Sequence, residues 1–201
     1  MVELFLKGGP LMYPLLIFSI VSIAIIIERG VYLGKASFPK TKLDTLLTVV
    51  NRDSGETALR EYDGLKGPVP EIGRIILRNR DLSREELENQ VSHAGSRELK
   101  LLTRNLHLLE LIGKISPMVG LSGTVLGLAG TFQTVASLKT AADPSLLAGG
   151  IWEALITTVT GLFIAIPAII FYHLYENKVK SISFAMKDHA ESIISALKEN
   201  R

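Results

Sequence analysis

The chain has 201 residues, 47% of them hydrophobic and 21% charged, with a formal net charge of +2. It has no cysteine, which excludes disulfide staples, thiolate metal sites and cysteine nucleophiles. The four histidines (His93, His107, His173, His189) are scattered, and no H-E-x-x-H, Gly-rich phosphate loop ending in Gly-Lys-Ser/Thr or G-x-S-x-G elbow is present. No basic run with interleaved aromatics speaks for nucleic acid. The expectation is a protein that is no enzyme, with neither metal nor cofactor. What carries information is the segregation of charge: three stretches are almost free of it, and the remainder is crowded.

Residues 1–28 hold a short N-terminal segment and a first span, Leu11 to Ile27, which is uncharged and ends at Glu28–Arg29. Roughly 20 apolar residues cross a bilayer core of about 30 Å, and this stretch reaches that length if Gly8–Pro10 and Arg29 sit at the interfaces. The basic flank and small-residue cleavage site of a signal peptide are missing, so it reads as a span.

Residues 29–107 read as a helical soluble insert. Gly64, Gly67, Pro68 and Pro70 punctuate a turn, and Asp53–Gly55 is another expected break. Ser83 and Glu86 form an expected capping box. From there the helical spacing of Leu87, Val91, Ala94, Leu99, Leu102 and Leu106 continues without proline to Ser116. This pattern predicts one long helix entering the second span, residues 108–138, whose stretch from Ile115 to Leu138 is uncharged. A connector, 139–147, leads to the third span, 148–175, with Glu153 as its one charge near the outer end. The tail, 176–201, reads as a helix prolonging span three, with Val179, Ile182, Met186, Ile193, Ile194 and Leu197 on its apolar face. The predicted fold is therefore an all-α integral membrane protein with three transmembrane helices, spans two and three extending into a helical cytoplasmic domain. Lys and Arg concentrate in 29–104 and after Tyr175, which predicts a periplasmic N-terminus and a cytoplasmic C-terminus.

Inside the membrane, Gly120, Gly123, Gly127 and Gly130 recur at intervals of 3, 4 and 3 and share one helix face. Ala154, Thr158, Gly161, Ala165 and Ala168 do the same in span three. Small faces of this kind permit close helix approach in lipid. Pro117 and Pro167 are expected kinks. Glu153, Thr157 and Thr160 form a second polar face. Two readings of the threonines stand: back-bonding to the preceding turn, or the lining of an ion path. Glu153 is either a functional intramembrane carboxylate or a hydrated residue at the outer interface. His107 and His173 read as interfacial anchors.

The stretch Ile115 to Leu128 (ISPMVGLSGTVLGL) resembles the span-two signature of the ExbB/TolQ/MotA proton-channel family. Gly150 to Ala168 (GIWEALITTVTGLFIAIPA) is similar to its span three, and Gly8-Gly9-Pro10 through Glu28-Arg29 to its first span. The resemblance covers nearly the whole chain and points to the ExbB/TolQ branch. It implies a homopentamer around two ExbD/TolR-type single-span partner chains, acting through a TonB- or TolA-type protein on outer-membrane transport or envelope maintenance. The family's functional threonines match Thr124 and Thr158, the latter five residues after the matching Glu153. Thr157 departs from the family, which has a small apolar residue there. The titratable group would be an aspartate on the partner's helix. A MotA-like flagellar or gliding stator expects four spans and a larger charged insert. A passive membrane scaffold is the alternative of another class.

Overall fold

The computed structural model describes residues 9–52, 56–137 and 144–199, and seven helices occur among them. They are α1 (Met12–Ala36), α2 (Lys40–Arg52), α3 (Glu56–Asp63), α4 (Pro68–Arg78), α5 (Arg84–Leu102), α6 (Leu106–Ser137) and α7 (Pro144–Glu199). No strand occurs among the described residues. Three helical stretches are long and apolar enough to cross a membrane, so the chain is an all-α, multi-pass membrane protein.

The helices fall into two compact units. The first contains the described residues up to Glu28 together with Asn105–His173. In it, α1 buries Leu15, Ser22 and Ile25 and exposes Ile17, Ile20, Ile23 and Ile27. A helix that exposes isoleucine along a full face suits a lipid solvent. The second unit contains Arg29–Arg104 and Leu174–Arg201. Its core is conventional: Val50, Ala58, Tyr62, Val69, Ile72, Ile76, Leu102 and Ile193 are almost fully buried.

Local chemistry explains the element ends. Ser83 Oγ accepts from the Glu86 amide at 3.3 Å, while the Glu86 carboxylate accepts from the Ser83 amide at 3.1 Å, completing the capping box. Gly67 takes φ 128° ahead of Pro68, which opens α4 at the position where its missing N–H costs nothing. The break expected at Asp53–Gly55 lies outside the described residues. Span three and the tail form one continuous helix, α7, of 56 residues against the roughly 20 that a span needs. It begins at Pro144, within the stretch 139–147 expected to be a connector. Both Pro117 and Pro167 sit inside helices that run on through them.

The expected single helix from Ser83 into span two is interrupted. α5 ends at Leu102 and α6 begins at Leu106. Asn105 adopts φ 61°, the left-handed conformation that asparagine tolerates better than most residues. Its side-chain amide donates to the Glu28 carboxylate at 3.0 Å. The Thr103 hydroxyl and amide both donate to the Leu99 carbonyl at 2.9 Å, closing the last turn of α5. The guanidinium of Arg29 donates to the Leu101 carbonyl at 3.0 Å and lies 4.8 Å from the Tyr32 ring centroid. A cation at the carbonyl end of a helix is favourable, and this one is buried at 2% exposure.

In the second unit, Tyr62 on α3 lies over Gly73 of α4, where a Cβ would overlap its ring. Its hydroxyl pairs with His189 Nε2 of α7 at 2.7 Å, and both side chains are buried. Burial lowers the His189 pKa to about 4 and raises that of the Tyr62 phenol. His189 is thus neutral when folded, while its unfolded counterpart binds a proton near 6.5. The stability this contributes is complete above about pH 6.5 and is lost as pH falls toward 4, by up to roughly 3 kcal/mol. Thermal unfolding followed by circular dichroism between pH 7.5 and 4 is expected to show that decline, and His189→Phe is expected to flatten it. In the same assay at pH 7.5, Ser83→Ala is expected to cost about 1 kcal/mol through loss of the cap.

Candidate functional site

The glycine face of α6 and the small-residue face of α7 meet along their length. Gly161 is set so that a Cβ there would lie 2.5 Å from the Ser116 carbonyl oxygen and 3.2 Å from Gly120 Cα. A Cβ on Gly120 would lie 3.0 Å from both the Thr157 carbonyl oxygen and Thr158 Cα. One on Gly127 would lie 3.1 Å from the Ala154 Cβ. The hollow at Gly123 is filled by the Thr157 side chain, which a Cβ would overlap. Ala154, Ala165 and Ala168 are buried at 2%, 2% and 0% exposure, as backbone-to-backbone packing requires.

The seam extends beyond the predicted residues at both ends. Gly113 faces Ile169, and Gly150 faces Thr131. A seven-residue step from Gly113 to Gly120 and an eleven-residue step from Gly150 to Gly161 are helical repeats that would have revealed them. Gly130, in contrast, has open space where its Cβ would be, so the glycine periodicity overran the contact.

The seam fixes the hydroxyls. Thr158 Oγ1 donates across the helix pair to the Gly120 carbonyl at 3.0 Å. Thr124, one turn further along α6, donates to its own Leu121 carbonyl at 2.7 Å. Both side chains are half-buried. Carbonyl oxygens only accept, so both hydroxyl protons are committed to the backbone and the oxygen lone pairs remain to accept from elsewhere. Thr157 is different: at 1% exposure it is a packing residue, its hydroxyl donating to the Glu153 carbonyl at 3.4 Å. Thr160 back-bonds to Ile156 at 2.8 Å and Ser116 to Ile112 at 2.7 Å. Thr124, Thr157 and Thr160 thus take the back-bonded form, while Thr158 donates across the helix pair.

Glu153 is exposed, and its Oε1 lies 3.6 Å from where a Gly9 Cβ would be, just before α1. It is one turn or more from both Thr124 and Thr158 in the order of the seam, at the end of α7 nearest Trp152 and Gly150. The stretches 115–137 and 154–175, which contain the two threonines, hold no carboxylate of their own.

These contacts separate the glycines. Gly161→Ala and Gly123→Ala are expected to destabilise the detergent-solubilised protein by about 1–3 kcal/mol, because backbone or a packed side chain must move. Gly130→Ala is expected to be neutral or mildly stabilising, since it gains helix propensity in open space. Thermal melts of the three variants side by side check this ordering.

Residues 63–188 match the model of the MotA/TolQ/ExbB proton channel family. An ExbB-like biopolymer transport protein of Synechocystis sp. is 33% identical over 86% of this chain and 83% of its own length. The Tol-Pal system protein TolQ of Haemophilus influenzae is 31% identical, covering 90% of this chain and 86% of TolQ. An ExbB homologue described as a biopolymer transport protein in Methanothermobacter thermautotrophicus is 32% identical over 88% of this chain, which spans 63% of that relative's length. Match and geometry coincide on α6 and α7, and the chain belongs to the MotA/TolQ/ExbB proton channel family, on its ExbB/TolQ branch.

Proposed function

We propose that this protein is a proton-channel subunit of an inner-membrane motor, with its N-terminus periplasmic and its C-terminus cytoplasmic. It assembles as a homo-oligomer, a pentamer by resemblance, around an ExbD/TolR-type single-span partner. Proton flow drives that partner, and a TonB- or TolA-type protein carries the work to outer-membrane transport or envelope maintenance.

The observation that carries this reading is the committed state of the two hydroxyls. Thr124 and Thr158 each present lone pairs after donating to a carbonyl. Such a pair accepts a hydrogen bond from a protonated carboxylic acid and offers nothing to a carboxylate. A partner aspartate would therefore dock at these threonines once loaded with its proton. It would leave on ionising, or would require the hydroxyls to rotate away from the backbone. That is the discrimination a proton-driven cycle needs, since each crossing releases ~2.3 kcal/mol per 100 mV. The glycine seam supports it by holding the hydroxyls in place without side chains of its own. In this reading Glu153 hydrates the outer mouth of the path, and Thr157 sets the rotation of α7 through its seat on Gly123.

Thr158→Val and Thr124→Val keep the shape of the side chain and remove the hydroxyl. In proteoliposomes containing the partner, each is expected to preserve assembly and to lower proton flux by roughly tenfold or more, the equivalent of one lost buried hydrogen bond. Thr158→Ser is expected to retain flux. Full flux in both valine variants contradicts the reading.

A further inference from the structure

We propose that Glu110 and His107, at the inner end of the α6–α7 pair, form the exit relay of the proton path: Glu110 receives the proton and His107 passes it to the cytoplasm. The inference rests on the proton conduction proposed above and names the residues on which that path ends.

Five polar side chains gather at this end of the first unit. On α6, Glu110 pairs with the ammonium of Lys114, one turn on, at 2.5 Å. His107 Nδ1, one turn back, lies 3.6 Å from the other carboxylate oxygen. The Tyr172 hydroxyl of α7 is hydrogen-bonded to the same carboxylate. The Tyr172 ring also meets His173 edge-on, with centroids 5.1 Å apart. The side chain of His107 is 90% exposed and that of Glu110 only 24%. A sheltered carboxylate thus stands beside an imidazole that reaches solvent.

Position ties this group to the hydroxyls. Glu110 precedes Thr124 by fourteen residues on α6, and Tyr172 follows Thr158 by fourteen on α7. Fourteen residues of helix span about 21 Å and return to within roughly 40° of the starting direction. Glu110 and Tyr172 therefore stand on the threonine-bearing sides of their helices, two heptads inward. Their mutual contact shows that the two helices stay together over that distance. Residues 115–123 and 159–171 hold no ionisable side chain. A proton leaving the threonines in this direction meets the cluster before any other ionisable group of the pair.

The chemistry balances as a relay. The proton leaves the partner's carboxylic acid for water and adds to the Glu110 carboxylate. Glu110 then donates it to the bare Nδ1 of neutral His107 as the Nε2–H gives one proton to the solvent. Exchange with water restores the tautomer, so one proton crosses and no charge accumulates. Neutral imidazole carries one donor and one acceptor nitrogen, which suits it to this step. The 3.6 Å gap is longer than a hydrogen bond, and rotation of the exposed ring closes it. Lys114 opposes storage, because a proton on Glu110 disrupts the ion pair and is therefore passed on.

The test is potential-driven proton flux through the full-length protein and its partner in proteoliposomes, with weak buffering on the cytoplasmic face. His107→Ala is expected to lower flux severalfold, and adding the soluble buffer Mes on that face to restore it. Glu110→Gln is expected to lower flux severalfold without rescue, since nothing then collects the proton for the buffer to remove. The natural protein is expected to be insensitive to Mes. His107 is exposed, so its replacement leaves packing intact, and rescue by a buffer is a response that a structural role does not give. Full flux in either variant overturns the relay and leaves the threonine reading standing. So does a loss in His107→Ala that Mes does not restore, or a rescue of Glu110→Gln. A natural protein that carries no proton flux overturns both.

Discussion

The close approach of α6 and α7 is the constraint on which the rest depends. Lipid offers no hydrophobic drive for two helices to associate, so they hold together by dispersion contacts at short range and by hydrogen bonds. Glycine at 113, 120, 123, 127, 150 and 161 removes the side chains that would keep the backbones apart. Only at this separation does the Thr158 hydroxyl reach a carbonyl of the neighbouring helix. The same contact that stabilises the pair thus orients the group on which the proposed proton chemistry turns.

The two units solve different solvent problems with one continuous helix. In the first, α7 packs alanine and glycine against α6 and exposes Phe163, Ile166 and Ile170. In the second, the same helix buries Val179, Ile182, Met186 and Ile193 in a conventional core. The buried Tyr62–His189 hydrogen bond belongs to that core. It satisfies two polar groups that would otherwise be costly to bury, and desolvation keeps the histidine neutral at physiological pH. It is a structural pair, with no titration near neutrality.

Much of this was legible in the sequence because it rests on periodicity and local chemistry. The three spans follow from the absence of charge, the capping box from Ser83 and Glu86, and the turn before α4 from Gly67-Pro68. The seam was legible in outline, from the 3-and-4 spacing of small residues. Its limits were not, because Gly130 and Gly127 look alike in a sequence and differ only in what stands opposite. The interruption at Thr103–Asn105 was hidden for a similar reason. Apolar spacing runs smoothly across it, and the break is held by a distant partner, Glu28, and by the left-handed conformation of Asn105. The distinction between Thr157 as packing and Thr158 as cross-helix donor also needed three dimensions, since adjacent residues point about 100° apart.

The central claim is that the seam commits the Thr158 hydroxyl proton to the Gly120 carbonyl. Infrared spectroscopy of protein carrying a single ¹³C=¹⁸O label at Gly120 reads that carbonyl directly. The account predicts that its amide band lies at lower frequency in the natural protein than in Thr158→Val, because the variant withdraws one donor while keeping the packing. Coincident bands in the two proteins would contradict it.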